Sequence, residues 1–189
     1  GKGYFYDARI IQAHPKHCIV NIVNTIDTPK NWNFNLQIAF SPTKNIDRIE
    51  WFAEKATEIG IDCFSPILCD HSERKEIKVQ RIEKILISAM KQSQKAILPQ
   101  LNEMQQFRKF IEQDFEGQKF IAHCYEQEKR ELKEIYKKGN NALILIGPEG
   151  DFSEKEVELA LSNGFIPVSL GESRLRTETA ALVACHTIH

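Results

Sequence analysis

Hydrophobic residues follow two different periods along the chain, and the period changes near residue 24. Within residues 4–23, apolar and polar residues form two short runs separated by His14, Pro15 and Lys16, a pattern typical of two β-strands joined by a turn. A two-stranded sheet is only marginally stable by itself. We therefore expect these strands to be the remainder of a small β domain whose first strands are missing from the sequence.

Beyond a polar linker at residues 25–35, short apolar runs alternate with segments of helical period. The predicted strands are residues 36–40, 61–68, 119–124, 142–147 and 165–171, and the predicted helices are residues 43–59, a long helix that ends near Pro99, a helix around Phe107 and Phe110, and helices that follow Ser153 and Thr179. The run 142–146 is apolar at every position, as expected for a parallel strand covered on both faces. This alternation predicts an α/β domain with a mainly parallel sheet and helices on both faces.

The charge balance gives no overall attraction to nucleic acid. Lys and Arg number 25 against 26 Asp and Glu, so the net charge is -1 and any RNA binding must come from a local patch. The chain contains no apolar run of the ~20 residues that a membrane helix needs, and its first residues lack the layout of a signal peptide. We expect a soluble, cytoplasmic protein without a membrane partner.

The cysteines and histidines do not predict a metal site. The five cysteines are an odd number without CxxC spacing, which argues against both a disulfide framework and a zinc ribbon. Two small clusters, at residues 14–18 and 185–189, contain His and Cys, but neither has a second ligand pair at zinc spacing. Ordinary strand and helix positions explain both clusters better than a metal does.

The segment IGPEGDFSEKEV, residues 146–157, directly follows the apolar strand. Gly147 and Gly150 allow a tight turn and a close approach of ligand to backbone, and Pro148 stiffens the loop between them. Ser153 and Glu156 have the spacing of a capping box for the next helix. On spacing alone, an ordinary strand-to-helix turn is the favoured interpretation.

The segment LGESRLRTETAALVA, residues 170–184, follows another predicted strand. It combines Arg174 and Arg176 with hydroxyl residues that can cap exposed amides, and its small residues allow close helix packing. A capped helix with solvated arginines is the alternative. Both segments lie at the carboxyl ends of predicted parallel strands, where open α/β sheets bind their ligands.

Taken in order, GPEGDFSEKEV, GFIPVSLG and LRTETAALVA resemble the bacterial ribosomal small-subunit RNA uracil-N3 methyltransferases, a family of the SPOUT or α/β-knot superfamily. Lys44, EKATEIG at residues 54–60 and ISAMKQSQKAILP at residues 87–99 are similar to the same family, so the resemblance runs from Leu36 to the end. The chain departs from the family at Asp151, where many members have glycine, and at residues 173–174, where many have Arg-Ile.

The resemblance implies a domain organisation, a cofactor and partners. Residues 1–24 are expected to be a remnant of an N-terminal PUA-like β-barrel domain, residues 25–35 a linker, and residues 36–189 a SPOUT methyltransferase domain with a trefoil knot. The family uses S-adenosyl-L-methionine without a metal ion, acts on 16S rRNA in the small ribosomal subunit, and forms homodimers through the knotted region.

The resemblance also assigns site residues. The expected cofactor-binding residues are Ile146, Gly147, Pro148, Glu149 and Gly150 on one side, Leu170, Gly171, Leu175, Arg176, Thr177 and Ala180 on the other, with His123 and Cys124 closing the pocket. Uracil N3 becomes nucleophilic only after losing its proton, and Arg176 is expected to stabilise the resulting anion. Glu178 is a candidate proton acceptor; binding to Arg174 or capping of its own helix are the alternatives.

The RNA-binding residues and the reaction itself leave alternatives open. Two basic groups are candidates for RNA contact, but acidic residues are interspersed with them, so a solvated surface is the alternative. The groups are Lys44, Arg48 and Lys55, and Arg74, Lys75, Lys78, Arg81 and Lys84. A phosphate-transfer enzyme is disfavoured because no GxxxxGK[ST] occurs. Another SPOUT methyltransferase and a non-catalytic RNA-binding module remain, and loss of cofactor binding would favour the latter.

Overall fold

The first two strands form a sheet of their own. β1 (Tyr4–Gln12) and β2 (Ile19–Asp27) pair antiparallel in the computed structural model, which describes residues 1–189. β2 thus continues into the segment predicted as linker. Every residue of both strands is exposed. The hairpin is attached through Lys2, which bridges to Ile97 in the main domain.

The other strands form one parallel sheet, which confirms the predicted α/β class. They are β3 (Leu36–Phe40), β4 (Cys63–Leu68), β5 (Gln100–Leu101), β6 (Gln105–Gln106), β7 (Gln118–Ala122), β8 (Arg130–Glu131), β9 (Ala142–Ile146) and β10 (Ile166–Ser169). Their order is β5-β4-β3-β9-β7-β10-β8, with β6 also beside β4. Since all pairs are parallel, the carboxyl ends of β9, β7 and β10 lie at the same edge.

Six helices accompany the sheet. They are α1 (Ile46–Ile59), α2 (Val79–Gln92), α3 (Phe107–Ile111), α4 (Leu132–Ile135), α5 (Glu154–Ser162) and α6 (Thr177–Ile188). α1 is capped at its start by Asn45, whose side chain accepts a hydrogen bond from the Asp47 amide, and at its end by Gly60, with φ 137°. α2 ends earlier than predicted because Gln94, with φ 54°, turns the chain out of the helix. None of the helices combines the length and apolar character of a bilayer-spanning segment.

The sheet separates two apolar cores. Ala142, Ile144 and Ile146 of β9 belong to the core under α1, α2 and α6. Leu143 and Leu145 point the other way, into the core with α3 and α5. The alternation explains why β9 is apolar at every position, since each face is covered.

At the amino edge of the sheet, polar side chains form hydrogen bonds with one another and with the backbone. Asp62, just before β4, accepts Lys30 Nζ at 2.6 Å on one carboxylate oxygen, and Trp32 Nε1 at 3.1 Å and the Leu36 amide at 2.8 Å on the other. The ring of His189, just after α6, packs edge-on against Trp32 with 5.1 Å between centroids. This network fixes the segment that joins the hairpin to β3.

Candidate active site

Two adjoining cavities lie at the carboxyl edge of the sheet. The β9 cavity, about 270 Å³, lies between the loop that follows β9 and the start of α6. The β10 cavity, about 400 Å³, lies between the end of β7 and the loop that follows β10. Both cavities are lined by Ala122, Cys124, Arg174, Leu175 and Ala180. Together they form one continuous site over three neighbouring strands.

The structure brings the predicted cofactor-binding residues together, with one exception. The β9 cavity is lined by Cys124, Ile146, Gly147, Pro148, Glu149, Leu175, Arg176, Thr177 and Ala180, and the β10 cavity adds His123, Leu170 and Gly171. Gly150 lines neither cavity. A Cβ atom at Gly150 would lie 3.1 Å from the His71 side chain, so this glycine makes room for a neighbouring segment of the protein.

A buried hydrogen bond ties the two predicted loops together. Thr177 Oγ1 donates to the Gly147 carbonyl at 3.0 Å. The hydroxyl therefore does not cap α6, whose N-cap is Arg176 and has no side-chain capping bond. The positive end of the α6 dipole consequently lies beside the β9 cavity and favours a negative group there.

The loop after β9 is held from outside by a segment that the sequence did not suggest. The predicted capping box is confirmed, because Ser153 Oγ accepts the Glu156 amide and Glu156 accepts the Ser153 amide. Asp70, after β4, accepts Ser153 Oγ at 2.6 Å and donates its amide to Glu156 at 2.9 Å. His71 Nδ1 lies 3.0 Å from the Asp151 carbonyl. The only sequence signal is that polar residues follow a buried strand.

Two cations at the site have no carboxylate partner. Arg174 and Arg176 are exposed, line the β9 cavity and form no ion pair. An unpaired guanidinium beside a concave surface is able to bind an anion with up to five N–H donors.

Glu178 lies away from the cavities. Its Oε1 atom is 3.7 Å from Arg48 Nη1 of α1, and its buried Oε2 atom has no hydrogen-bond partner. The sequence left open whether Glu178 accepts a proton at the site or binds Arg174. In the structure, Glu178 neither lines the site nor pairs with Arg174. The carboxylates that do line the β9 cavity belong to Glu149 and Asp151. Glu149 Oε1 accepts the Lys44 amide at 3.1 Å, and its second oxygen has no partner.

His123 and Gly171 both line the β10 cavity. His123 is buried, its Nε2 lies 2.6 Å from Gln127 Nε2, and its Nδ1 has no partner. Burial lowers the pKa of His123 and the ammonium of Lys129 lowers it further, which favours the neutral ring. At Gly171, φ is 122° and a Cβ atom would meet nothing within 4 Å, so the backbone borders open space. A buried polar atom without a partner beside such space fits a ligand with a polar group.

Most of the candidate RNA-contacting cations have partners within the chain. Lys44 pairs with Glu73, Arg48 with Glu178, Lys55 with Glu54 and Glu58, and Arg81 with Asp47 and Glu50, while Arg74 donates to the Thr43 and Lys44 carbonyls. Lys75, Lys78 and Lys84 form no ion pair. No group of three or more His, Cys, Asp or Glu side chains lies close enough together to hold a metal ion.

Both the sequence and the fold match known proteins. A family model described as RNA methyltransferase domain matches residues 30–189. Ribosomal RNA small subunit methyltransferase E of Mesomycoplasma hyopneumoniae (strain 232) is 30% identical over 185 residues, 94% of this chain and 78% of that protein. The crystal structure of a probable rRNA-methyltransferase from Porphyromonas gingivalis is 46% identical with a TM-score of 0.94, covering 100% of this chain and 82% of that chain. Ribosomal RNA small subunit methyltransferase E from Neisseria gonorrhoeae, bound to S-adenosyl methionine, is 28% identical with a TM-score of 0.86, covering 98% and 78%.

Proposed function

Since this chain belongs to the RNA methyltransferase family, we propose that it transfers the methyl group of S-adenosylmethionine to N3 of a uracil in 16S rRNA of the small ribosomal subunit. The observation that carries the proposal is the pair of adjoining cavities at the carboxyl edge of the sheet. These cavities are lined by the loops that follow β9 and β10, the two segments that resemble the family. The relative from Neisseria gonorrhoeae, whose fold this chain shares, binds S-adenosyl methionine.

The residues that line the two cavities fit this cofactor. The unpartnered His123 Nδ1 and the open backbone at Gly171 suit an adenosyl group in the β10 cavity. The unpaired Arg174 and the amino end of α6 suit a carboxylate. When bound, S-adenosylmethionine supplies an activated methyl group that needs no covalent enzyme intermediate. The chain then has to align the acceptor nitrogen and exclude competing water.

We assign Arg176 and Glu149 roles in activating the methyl acceptor, the N3 atom of uracil. Uracil N3 loses a proton, and the charge left behind spreads over two carbonyl oxygens. Arg176 is able to stabilise that charge because its guanidinium is unpaired and lies at the positive end of α6. We assign the proton acceptor to Glu149 in place of Glu178, since Glu149 lines the cavity with a free oxygen and Glu178 faces Arg48.

We further propose the knot and the domain organisation of the SPOUT superfamily. β10 lies near one end of the sheet, separated from β3 by β7 and β9. The chain that follows β10 returns towards the middle of the sheet, where α6 packs against β3 and α1. A knot requires such a return of the chain across the sheet. The β1–β2 hairpin supports the proposal of a PUA-like barrel, because large apolar side chains such as Phe5, Ile10 and Val23 are exposed along it. Such a surface is expected to be covered by further strands.

We propose a cytoplasmic homodimer that uses α6 in its interface. Leu182 and Val183 on α6 are apolar and only partly buried. Their spacing next to small residues suits close packing between two copies. Light scattering at tens of micromolar, a rough working concentration, is expected to give the mass of two chains; a monomer would contradict this part of the proposal.

Methyl transfer to assembled small ribosomal subunits, followed by nucleoside mass spectrometry, tests the function. The expected product is uridine methylated at N3, formed only when S-adenosylmethionine is present. Methylation of a ribose or of another base would identify a different RNA methyltransferase. Binding of RNA without any binding of S-adenosylmethionine would instead identify a non-catalytic module.

A further inference from the structure

Asp151 adopts a backbone conformation that a residue with a side chain rarely takes. Its φ is 64°, in the left-handed region, where Asn and Asp are tolerated because their short side chains form compensating local hydrogen bonds. Here Oδ1 accepts the amide of the next residue, Phe152, at 2.8 Å. The Asp151 amide donates to the Pro148 carbonyl at 2.9 Å, which closes the turn.

The second carboxylate oxygen of Asp151 reaches a different wall of the site. Oδ2 accepts the amide of Cys124 at 2.6 Å. Cys124 follows β7 and lines both cavities, whereas Asp151 belongs to the loop that follows β9. One carboxylate therefore joins the loop that follows β7 to the loop that follows β9, and both loops line the β9 cavity.

The position of this bond matters because the sheet has already ended there. β7 and β9 are neighbours, and the last pair in their register is Ala122 with Ile146. Beyond that pair, two hydrogen bonds connect the loops: Cys124 to Asp151, and Tyr125 Oη to the Phe152 carbonyl at 2.8 Å. Asp151 lines the β9 cavity, while Tyr125 lines neither cavity.

We infer that Asp151 is a positioning residue for the methyl donor: in this chain, at a position where many members of the family have glycine, its carboxylate holds the Cys124 backbone at the wall of the cofactor site. The inference rests on the proposed function. It assigns Asp151 a role through the backbone of Cys124 and not through direct contact with the sulfonium. Since a charge-assisted hydrogen bond is stronger than a neutral one, a carboxylate suits this role better than an amide does.

The variant Asp151→Gly tests the inference, since glycine adopts the same backbone without strain and removes only the carboxylate. We expect calorimetry to show about tenfold to hundredfold weaker binding of both S-adenosylmethionine and S-adenosylhomocysteine, the loss typical of a charge-assisted hydrogen bond. Amide hydrogen exchange at Cys124 is expected to accelerate. Asp151→Asn, which keeps one acceptor, is expected to fall between Asp151→Gly and the unchanged protein.

Tyr125→Phe is the matched control, because it removes the other bond between the same loops and keeps the ring. Its cofactor affinity and the exchange of the Cys124 amide are expected to stay near those of the unchanged protein. Normal affinity in Asp151→Gly would overturn the inference and leave the proposed function intact. Weaker binding of S-adenosylmethionine alone would also overturn it, since that result indicates a direct contact with the sulfonium charge. If the unchanged protein bound neither ligand, the proposed function would fail and the inference with it.

Discussion

The two edges of the parallel sheet use polar residues in opposite ways. At the amino edge, the Asp62 carboxylate is occupied by Lys30, Trp32 and a backbone amide. At the carboxyl edge, Arg174 and Arg176 have no ion pair, and His123 Nδ1 is buried without a partner. A cavity of about 260 Å³ also exists at the amino edge. The presence of a cavity therefore does not distinguish the two edges, whereas the pairing of the polar side chains does.

The difference indicates that the amino edge serves stability and the carboxyl edge serves binding. Buried polar groups in folded proteins are usually paired, so the unpaired His123 Nδ1, on a residue that lines the β10 cavity, suits a ligand with a polar group. In open α/β sheets, the carboxyl edge is also where ligands bind. We therefore expect substitutions at one edge to change the free energy of unfolding, and substitutions at the other to change affinity or turnover.

The largest effect is expected for Gly171→Val. The added side chain enters the open space of the β10 cavity, so binding of S-adenosylhomocysteine is expected to disappear in calorimetry. Valine at φ 122° also strains the backbone, so the control is Gly139→Val, at φ 83° in open surroundings away from both cavities. The control is expected to lose comparable stability and to bind normally. Gly147→Val is a poorer test, because its Cβ atom would lie 3.1 Å from Phe152 and disturb the fold.

Arg176→Ala is expected to slow methyl transfer by about a hundredfold to a thousandfold, the usual effect of removing one group that stabilises transition-state charge. Affinity for S-adenosylmethionine and thermal stability are expected to remain. Turnover is expected to recover partly at higher pH, as more uracil ionises, and Arg176→Lys is expected to be intermediate. A loss of cofactor affinity in proportion to activity would place Arg176 in the cofactor site and transfer the catalytic role to Arg174.

Asp62→Ala is expected to lower the free energy of unfolding by about 2–4 kcal/mol, since three donors lose their acceptor at a partly buried site. Urea denaturation measures the loss. Cofactor affinity is expected to be unchanged below the melting transition. If Asp62→Ala lowered cofactor affinity and left the free energy of unfolding unchanged, the assignment of stability to the amino edge and binding to the carboxyl edge would be wrong.

The smallest effect is expected for Thr177→Val, which has nearly the same shape but leaves the Gly147 carbonyl unpaired. We expect the free energy of unfolding to fall by about 1–2 kcal/mol. Affinity for S-adenosylhomocysteine is expected to fall modestly as well, because the hydroxyl holds the two loops together. Thr187→Val serves as a control, since its hydroxyl bonds within α6, to the Val183 carbonyl.

Sequence reasoning succeeded where the relevant contacts are local or periodic. The capping box of Ser153 and Glu156 lies within one turn of helix, and the apolar run of β9 reports burial directly. The partner of Glu178 could not be predicted, because Arg48 lies far away in the sequence and approaches only after α1 and α6 pack. For the same reason, the contact of His71 with the loop after β9 was missed.

Very short elements escaped prediction for a different reason. β5, β6 and β8 contain two residues each, so no period can be recognised in them. They pair because a neighbouring strand presents free backbone groups, which a sequence pattern does not reveal. The positive φ of Asp151 was also not predicted, although the sequence showed that Asp151 replaces a glycine found in many members of the family.

Amide hydrogen exchange with and without S-adenosylhomocysteine tests the central claim most directly, because it compares both edges in one experiment. We predict that the ligand slows exchange at residues 146–149, 151 and 170–177, which border the carboxyl-edge cavities. Residues 28–32 and 93–97, which border the amino-edge cavity, are expected to exchange as before. Protection confined to the amino edge, with none at the carboxyl edge, would contradict the assignment of the cofactor site.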